Sequence, residues 1–226
     1  MKKWDELPEK LKNEAVLPYY DILYKKGASR IIKRIFDIIA ALILTVIASP
    51  FMLIIAIWIK LDSKGKVFFR QRRVTTYGRV FGIYKFRTMV SGAEKLGTQV
   101  TVNNDSRVTR AGHFLRKFRL DELPQLFNVL KGDMSFVGTR PEVERYVDRY
   151  SDEMMATLLM PAGITSLASI KFKDEEKLLS GAEDTDEVYI NDVLPQKMKY
   201  NLEYLRKFNF FYDIKLMFMT FFAVLK

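Results

Sequence analysis

The chain has 226 residues, no cysteine, a single histidine and a formal net charge of +10. That length allows one compact core beside an apolar segment. The missing cysteines exclude disulfides, thiol nucleophiles and thiolate-bound metals, and His113 alone excludes any site that needs two histidine ligands. The charge is uneven. Lys60 to Arg119 holds 15 Lys/Arg against Asp62, Glu94 and Asp105, whereas Glu142 to Asp192 holds 13 Asp/Glu against five Lys/Arg. The basic stretch suits anionic headgroups or a phosphorylated substrate; nucleic acid is the weaker reading, because no recognisable nucleic-acid module accompanies the charge. The acidic stretch reads as a solvated face turned away from a bilayer.

In chain order, residues 1–29 read as a polar, partly helical extension punctuated by Pro8, Pro18 and Gly27, with no assignable chemistry. Ile38 to Ile59 follows as 22 residues without a charge, with Ser49-Pro50 near the middle. It starts too late and runs too long for a cleaved signal peptide. Its length fits a membrane helix, yet basic clusters flank it on both sides, and a straight span would strand one of them outside. A segment that dips in and returns on the same face keeps both clusters inside. Pro50 lacks an N–H and clashes with the Val46 carbonyl, and the Ser49 hydroxyl is placed to satisfy freed backbone, so the membrane break is expected at Ser49 and Pro50. Arms of 12 and 10 residues reach about 15–18 Å, half of a hydrocarbon core. A kinked single span is the alternative.

Lys66-Val-Phe-Phe-Arg-Gln and Val80 to Arg87 read as two strands joined through Thr75 to Gly78. Ser91 to Leu96 reads as a short helix, Val102 to Arg110 as a loop and Leu115 to Leu130 as largely helical. Met134 to Pro141 reads as a loop or short extended piece, Pro141 leads into a charged helix to about Leu159, and Pro161-Ala-Gly-Ile-Thr is a break. Gln196 to Lys226 carries Met198, Leu202, Leu205, Phe208, Phe211, Ile214, Phe218 and Phe221 at helical spacing, which fits a helix on the core, at the membrane interface, or both.

The chemistry gathers in the basic half. Asp121-Glu122 follows Arg116, Lys117 and Arg119. Spacing alone makes Asp121 a helix N-cap, with Glu122 and Pro124 in the first turn. A carboxylate there, near cations, is expected to stay ionised and is competent to attack phosphorus or to bind Mg²⁺. His113 in His-Phe-Leu-Arg-Lys-Phe reads as a surface residue.

Lys33-Arg34-Ile35-Phe36-Asp37, Ser49-Pro50, Lys60-Leu61-Asp62-Ser63, Phe68-Phe69-Arg70-Gln71, Tyr84-Lys85-Phe86-Arg87-Thr88-Met89, Leu120-Asp121-Glu122-Leu123-Pro124-Gln125 and Gly132-Asp133-Met134-Ser135 appear in order. Together they resemble the bacterial sugar transferases, the monotopic phosphoglycosyl transferases, in a minimal single-domain form. The resemblance runs from Ile32 to Thr165 and more loosely through the C-terminal helix. It departs at Thr139, where the family commonly has Gly-Pro-Arg-Pro, and at Pro161 to Ser166, where Pro-Gly-Ile-Thr-Gly is usual.

The resemblance implies a mainly α protein with a small β-hairpin (α+β). Its parts would be an N-terminal extension (1–29), a re-entrant membrane helix (30–60), a cytosolic catalytic domain (61–195) and an amphipathic C-terminal helix (196–226). It implies transfer of a sugar-1-phosphate from a UDP-sugar to polyprenol phosphate, with release of UMP, on the cytoplasmic face of the bacterial inner membrane, as the first membrane step of a glycoconjugate pathway. Asp121 would be the nucleophile that carries the phosphosugar, Glu122 the residue associated with Mg²⁺, and Lys85, Arg87, Arg107, Arg110 and Arg140 the phosphate-binding cations. A possible homo-oligomer is a further expectation. A membrane-surface scaffold that only binds anionic lipid explains the charge but not an acidic pair among arginines.

Overall fold

The computed structural model describes residues 1–93, 105–172 and 184–225. The expected helix at Ser91 to Leu96, the first part of the loop from Val102 and part of the acidic stretch lie outside the described residues. The described residues are mainly helical, with two small two-stranded sheets. Their helices are α1 (Leu17–Lys25), α2 (Gly27–Asp62), α3 (Arg110–Lys117), α4 (Gln125–Lys131), α5 (Glu144–Val147), α6 (Leu167–Lys171), α7 (Thr185–Val188), α8 (Leu194–Lys207) and α9 (Phe210–Leu225).

The N-terminal segment is partly helical, as expected, and packs into the core. Leu7, Leu11, Val16, Tyr19, Tyr20 and Leu23 are buried in the main core together with Leu202, Leu205 and Phe208 of the C-terminal part.

Helix α2 is continuous by hydrogen bonding through Pro50, so the two arms are not separate helices. The Val46 carbonyl, whose helical donor would be the N–H that Pro50 lacks, accepts from Ser49 Oγ at 2.8 Å. A straight helix of 36 residues would reach about 54 Å, and both of its ends are tied to the rest of the protein. At the start, Lys33 Nζ meets Asp213 Oδ2 at 2.6 Å, Arg34 donates to the Val129 and Leu130 carbonyls at 2.7 and 3.1 Å, and Phe136 N donates to Asp37 Oδ1 at 3.3 Å. At the end, Met52, Ile55 and Ile59 pack with Phe86 and Leu115, and Ala111 N donates to Asp62 Oδ2 at 3.1 Å. Between these anchors Leu42, Ile43, Val46, Ile47, Phe51, Leu53 and Ile54 are exposed. That much contiguous apolar surface suits lipid rather than water.

The predicted hairpin is present: β1 (Phe68–Val74) pairs antiparallel with β2 (Val80–Phe86) across a turn in which Tyr77 and Gly78 take positive φ. A second sheet joins the short extended piece expected after Met134 to the segment read as a break. β3 (Met134–Val137) pairs in parallel with β4 (Ala162–Thr165), so Pro161-Ala-Gly-Ile-Thr leads into a strand rather than a break. The pairing relies on glycine: a Cβ at Gly163 would lie 2.2 Å from the Gly138 nitrogen.

The predicted long helices are shorter. Leu115 to Leu130 divides into α3, a 3₁₀ turn (Leu120–Glu122) and α4. The charged helix after Pro141 is only α5, followed by a 3₁₀ stretch at Met154–Leu159. The C-terminal segment splits at Phe208-Asn209 into α8, which is packed on the core, and α9, where Phe211, Phe218, Phe221 and Phe222 are exposed.

Candidate active site

The sequence Phe118-Arg119-Leu120 interrupts what periodicity alone reads as one helix. Arg119 adopts the left-handed conformation (φ 55°, ψ 20°), unusual for a residue with a Cβ. The chain therefore turns sharply after α3 and enters the 3₁₀ turn that carries Asp121 and Glu122. Asp121 is not the expected N-cap; it lies within this turn, and Pro124 precedes α4 without a side-chain cap. Such left-handed residues gather at functional sites, where surrounding structure holds them in place.

Three elements converge on the acidic pair. The first is β2, which brings Lys85. Its register against α4 is set by Asn128, fully buried, whose side-chain amide imitates a peptide: Nδ2 donates to the Gly82 carbonyl and Oδ1 accepts from Tyr84 N, both at 2.9 Å. The second is the loop after β3, which brings Arg140. The third is the turn itself, with Arg116 and Arg119 just ahead of it.

Asp121 and Glu122 are both buried. Lys85 Nζ lies 3.2 Å from Glu122 Oε1 and 4.0 Å from Asp121 Oδ2. Arg140 donates to Glu122 Oε1 at 2.7 Å, and Arg119 stands 4.0 Å from the same oxygen.

Equal burial has opposite outcomes for the two carboxyls. Burial pushes Asp121 up from the usual aspartate range and the Glu122 charge adds to it, against the opposing pull of Lys85, Arg116 and Arg119. Burial would raise Glu122 as well, but the charges of Arg140 and Lys85, the Arg140 hydrogen bond and the Arg119 charge override it and hold the group well below the usual carboxylate range. Lys85 is itself lowered by burial, with Glu122 pulling the other way.

The Arg140 loop is held from behind. Glu142, also buried, accepts from Tyr189 Oη at 2.5 Å, and its carboxylate faces Lys197 at 3.5 Å and Arg73 at 3.6 Å. Arg73 also donates to the Pro141 carbonyl at 3.1 Å.

Of the seven sequence-predicted chemical residues, Lys85, Asp121, Glu122 and Arg140 come together. Arg87 does not join them through any ion pair: it caps the end of α2, donating to the Ile59 and Ser63 carbonyls at 3.3 and 2.8 Å, to the Lys64 carbonyl and to Ser91 Oγ. Its Nη atoms thus face the carbonyls at and just beyond the end of α2, apart from the acidic pair. Arg107 forms a fork with Asp105, Nε to Oδ1 at 2.9 Å and Nη2 to Oδ2 at 2.6 Å. Arg110 is exposed at the start of α3, as is His113 within it. Ser49 and Pro50 are exposed on α2. Arg116, in the last turn of α3, and Arg119, just after it, are the cations that the sequence placed ahead of the pair without assigning them a role.

A sequence model described as bacterial sugar transferase matches residues 28–226. Among curated proteins, the chain is 41% identical over 192 residues to the UDP-N-acetylgalactosamine-undecaprenyl-phosphate N-acetylgalactosaminephosphotransferase of Aeromonas hydrophila, covering 84% of this chain and 42% of the relative. It is 37% identical over 219 residues to the UDP-glucose:undecaprenyl-phosphate glucose-1-phosphate transferase of Escherichia coli K12, covering 95% of this chain and 44% of that protein. A Caulobacter vibrioides protein with the same name as the latter is 36% identical over 191 residues, covering 83% of this chain and 67% of the relative. The chain thus spans less than half the length of the first two relatives.

Proposed function

Because the chain belongs to the bacterial sugar transferase family, we propose that it moves a sugar-1-phosphate from a UDP-sugar to undecaprenyl phosphate at a membrane surface. The observation that carries this reading is the buried Asp121-Glu122 pair set against Lys85, Arg119 and Arg140. The names of the relatives support the substrate classes. A lipid-binding scaffold gives no reason for two adjacent carboxylates, buried among cations, whose proton affinities are driven apart.

In the proposed mechanism Asp121 attacks the phosphorus that bears the sugar. The bond from that phosphorus to the bridging oxygen breaks, and UMP departs with the electron pair. The phosphate oxygen of the polyprenol then attacks the same phosphorus and expels the Asp121 carboxylate, leaving the sugar on a lipid diphosphate. Two displacements through one carboxylate avoid placing donor and acceptor phosphates side by side in a single step. Only the ionised form of Asp121 attacks, so its raised proton affinity favours a carboxylate that is nucleophilic once deprotonated. Arg140, Lys85 and Arg119 would stabilise charge on the transferring group.

The residues fit Mg²⁺. Among the described residues no cluster of three or more His, Cys, Asp or Glu forms a metal cage, and Mg²⁺ is commonly held through one or two carboxylates together with substrate phosphates and water. Glu122 would hold it, together with oxygens of the substrate phosphates. When bound, the ion supplies charge neutralisation to the diphosphate.

The membrane geometry belongs to the same proposal: α2 dips into the cytoplasmic leaflet of the inner membrane and returns. Its support is that both ends of α2 are fastened to one domain while its middle offers apolar surface outward. Such an anchor brings the site to a lipid-borne phosphate without crossing the bilayer.

The decisive experiment incubates the reconstituted protein with Mg²⁺, undecaprenyl phosphate and a panel of UDP-sugars, scoring UMP release. One donor turns over, and a donor labelled at the β-phosphate leaves label on the protein in the absence of acceptor. Asp121→Asn loses both signals while still partitioning to membranes. Full turnover by Asp121→Ala ends the proposal. Cysteine labelling on both flanks of α2 in intact cells tests the dip, which fails if the flanks are accessible from opposite sides.

A further inference from the structure

A cavity of about 220 Å³ lies at the start of α2, among Arg30, Lys33, Arg34 and Asp37 on one side and Met134 and Leu159 on the other. It is lined by neither member of the acidic pair and by neither Lys85 nor Arg140, so nothing in the proposed transfer reaction uses it.

The charges around it are not equally committed. Lys33 is matched by Asp213 at 2.6 Å. Arg34 is spent on the two carbonyls at the end of α4, at 2.7 and 3.1 Å. Asp37 accepts from the Phe136 amide at 3.3 Å. Arg30 differs: it is half-buried at the cavity wall, and among the described residues its guanidinium meets neither a carboxylate nor a carbonyl. A guanidinium that lines a cavity without a counter-charge is suited to two oxygens of a phosphate.

The surroundings indicate what carries that phosphate. Ile31 and Ile32 follow Arg30 directly and are exposed, as are Ile35, Ile38 and Ile39 further along the helix toward the uncharged run. Arg30 thus stands where an apolar, lipid-suited helix surface begins, which is the level at which headgroups lie. The inner wall of Met134 and Leu159 is apolar and offers contact to the glycerol and first methylenes of a lipid rather than to a hydrated ion.

We infer that this cavity binds the phosphate of an anionic phospholipid, with Arg30 as its principal ligand and the Arg34 charge beside it. The site is separate from the acceptor phosphate of the proposed reaction, and its test does not depend on turnover.

The full chain is delipidated in non-ionic detergent and titrated with phosphatidylglycerol or phosphatidylcholine of identical chains, with bound lipid counted by native mass spectrometry. One phosphatidylglycerol per chain is expected to bind in preference to phosphatidylcholine. Arg30→Ala is expected to weaken it about tenfold or more, as befits loss of a charge-assisted contact. Arg30→Lys retains part of the affinity, and Arg149→Ala, at an exposed arginine that does not line the cavity, retains all of it. Unchanged melting temperature in Arg30→Ala separates lost binding from lost folding. Inorganic phosphate at millimolar concentration serves as competitor: failure to displace the lipid assigns the site to a headgroup, and displacement with the same Arg30 dependence keeps the phosphate site but makes its source a free anion. Equal binding of the two lipids, or equal binding by wild type and Arg30→Ala, overturns the inference.

Discussion

Asp121 and Glu122 are neighbours in one turn and equally hidden from water, yet removing their charges is expected to move stability in opposite directions. Asp121 has a folded-state proton affinity above its unfolded one. Its contribution to stability is complete below the unfolded pKa and is lost as pH rises through the folded pKa, so at pH 7 the ionised group is a net burden. Asp121→Asn cannot ionise and sheds it. Glu122 is depressed; its contribution is present above the unfolded pKa and vanishes only as pH falls through the folded one, so at pH 7 it is fully in force. Glu122→Gln forfeits a charge-assisted bond of 2.7 Å to Arg140 and the 3.2 Å contact with Lys85. Hydrogen bonds to charged groups contribute about 1.5–3 kcal/mol, and in a chain of this size each kcal/mol moves the melting temperature by about 2–4 °C. Glu122→Gln should therefore melt about 3–12 °C below wild type, and Asp121→Asn above it by a few degrees. The fluorescence of Trp4 and Trp58 followed on heating at pH 7 reads both. Repeating the scan in acid should close the Asp121→Asn gap, because wild-type Asp121 is then protonated. Movement of both variants in the same direction at pH 7 would refute the assignment of opposite electrostatics to the pair.

Three further outcomes follow from the same geometry. The kcat/KM profile should rise with pH through a group above the ordinary aspartate range and fall through one below the ordinary lysine range, reporting Asp121 and Lys85; an acidic limb at or below the ordinary aspartate range, or a basic limb at or above the ordinary lysine range, would contradict this. Arg87→Ala should lower the melting temperature, by about 2–4 kcal/mol in stability, while leaving KM for the UDP-sugar within about twofold, because its guanidinium holds the Ile59, Ser63 and Lys64 carbonyls. A tenfold rise in KM at unchanged stability would place Arg87 in the phosphate site. Gly163→Ala should cost about 1–3 kcal/mol, measured by chemical or thermal unfolding, since its methyl would press on the Gly138 backbone at 2.2 Å; wild-type stability in that variant would mean that the β3–β4 contact is looser than it stands here.

Much of this architecture was legible because its signals are local. The hairpin declared itself through alternation on either side of Thr75 to Gly78, and the apolar helix through its lack of charge. The acidic pair stood out because carboxylates rarely sit among so many arginines without purpose. What escaped was set by distant partners. Parallel pairing of β3 with β4 joins residues such as Met134 and Ala162, and no periodicity in either piece announces the other. The burial of residues 7–23 depends on α8, far along the chain. The arginines show the limit most clearly. Arg87 and Arg140 look alike in a motif, but one faces the open carbonyls at the end of α2 and the other faces Glu122, and only the fold distinguishes them. Arg119 was hidden for a different reason: a left-handed backbone at a residue with a Cβ is imposed by its surroundings and leaves no trace in composition.

In the proposed reaction, the crowding of cations on Glu122 has a consequence for how the resting protein would meet its UDP-sugar donor. Lys85, Arg116, Arg119 and Arg140 act on the two carboxylates Asp121 and Glu122, which leaves two positive charges for the diphosphate of a UDP-sugar to answer. Glu122 thus serves as an internal placeholder, occupying the cations in the way a phosphate oxygen will. Donor entry becomes an exchange of counter-ions within a site already assembled, so little rearrangement of long side chains is needed when the substrate arrives.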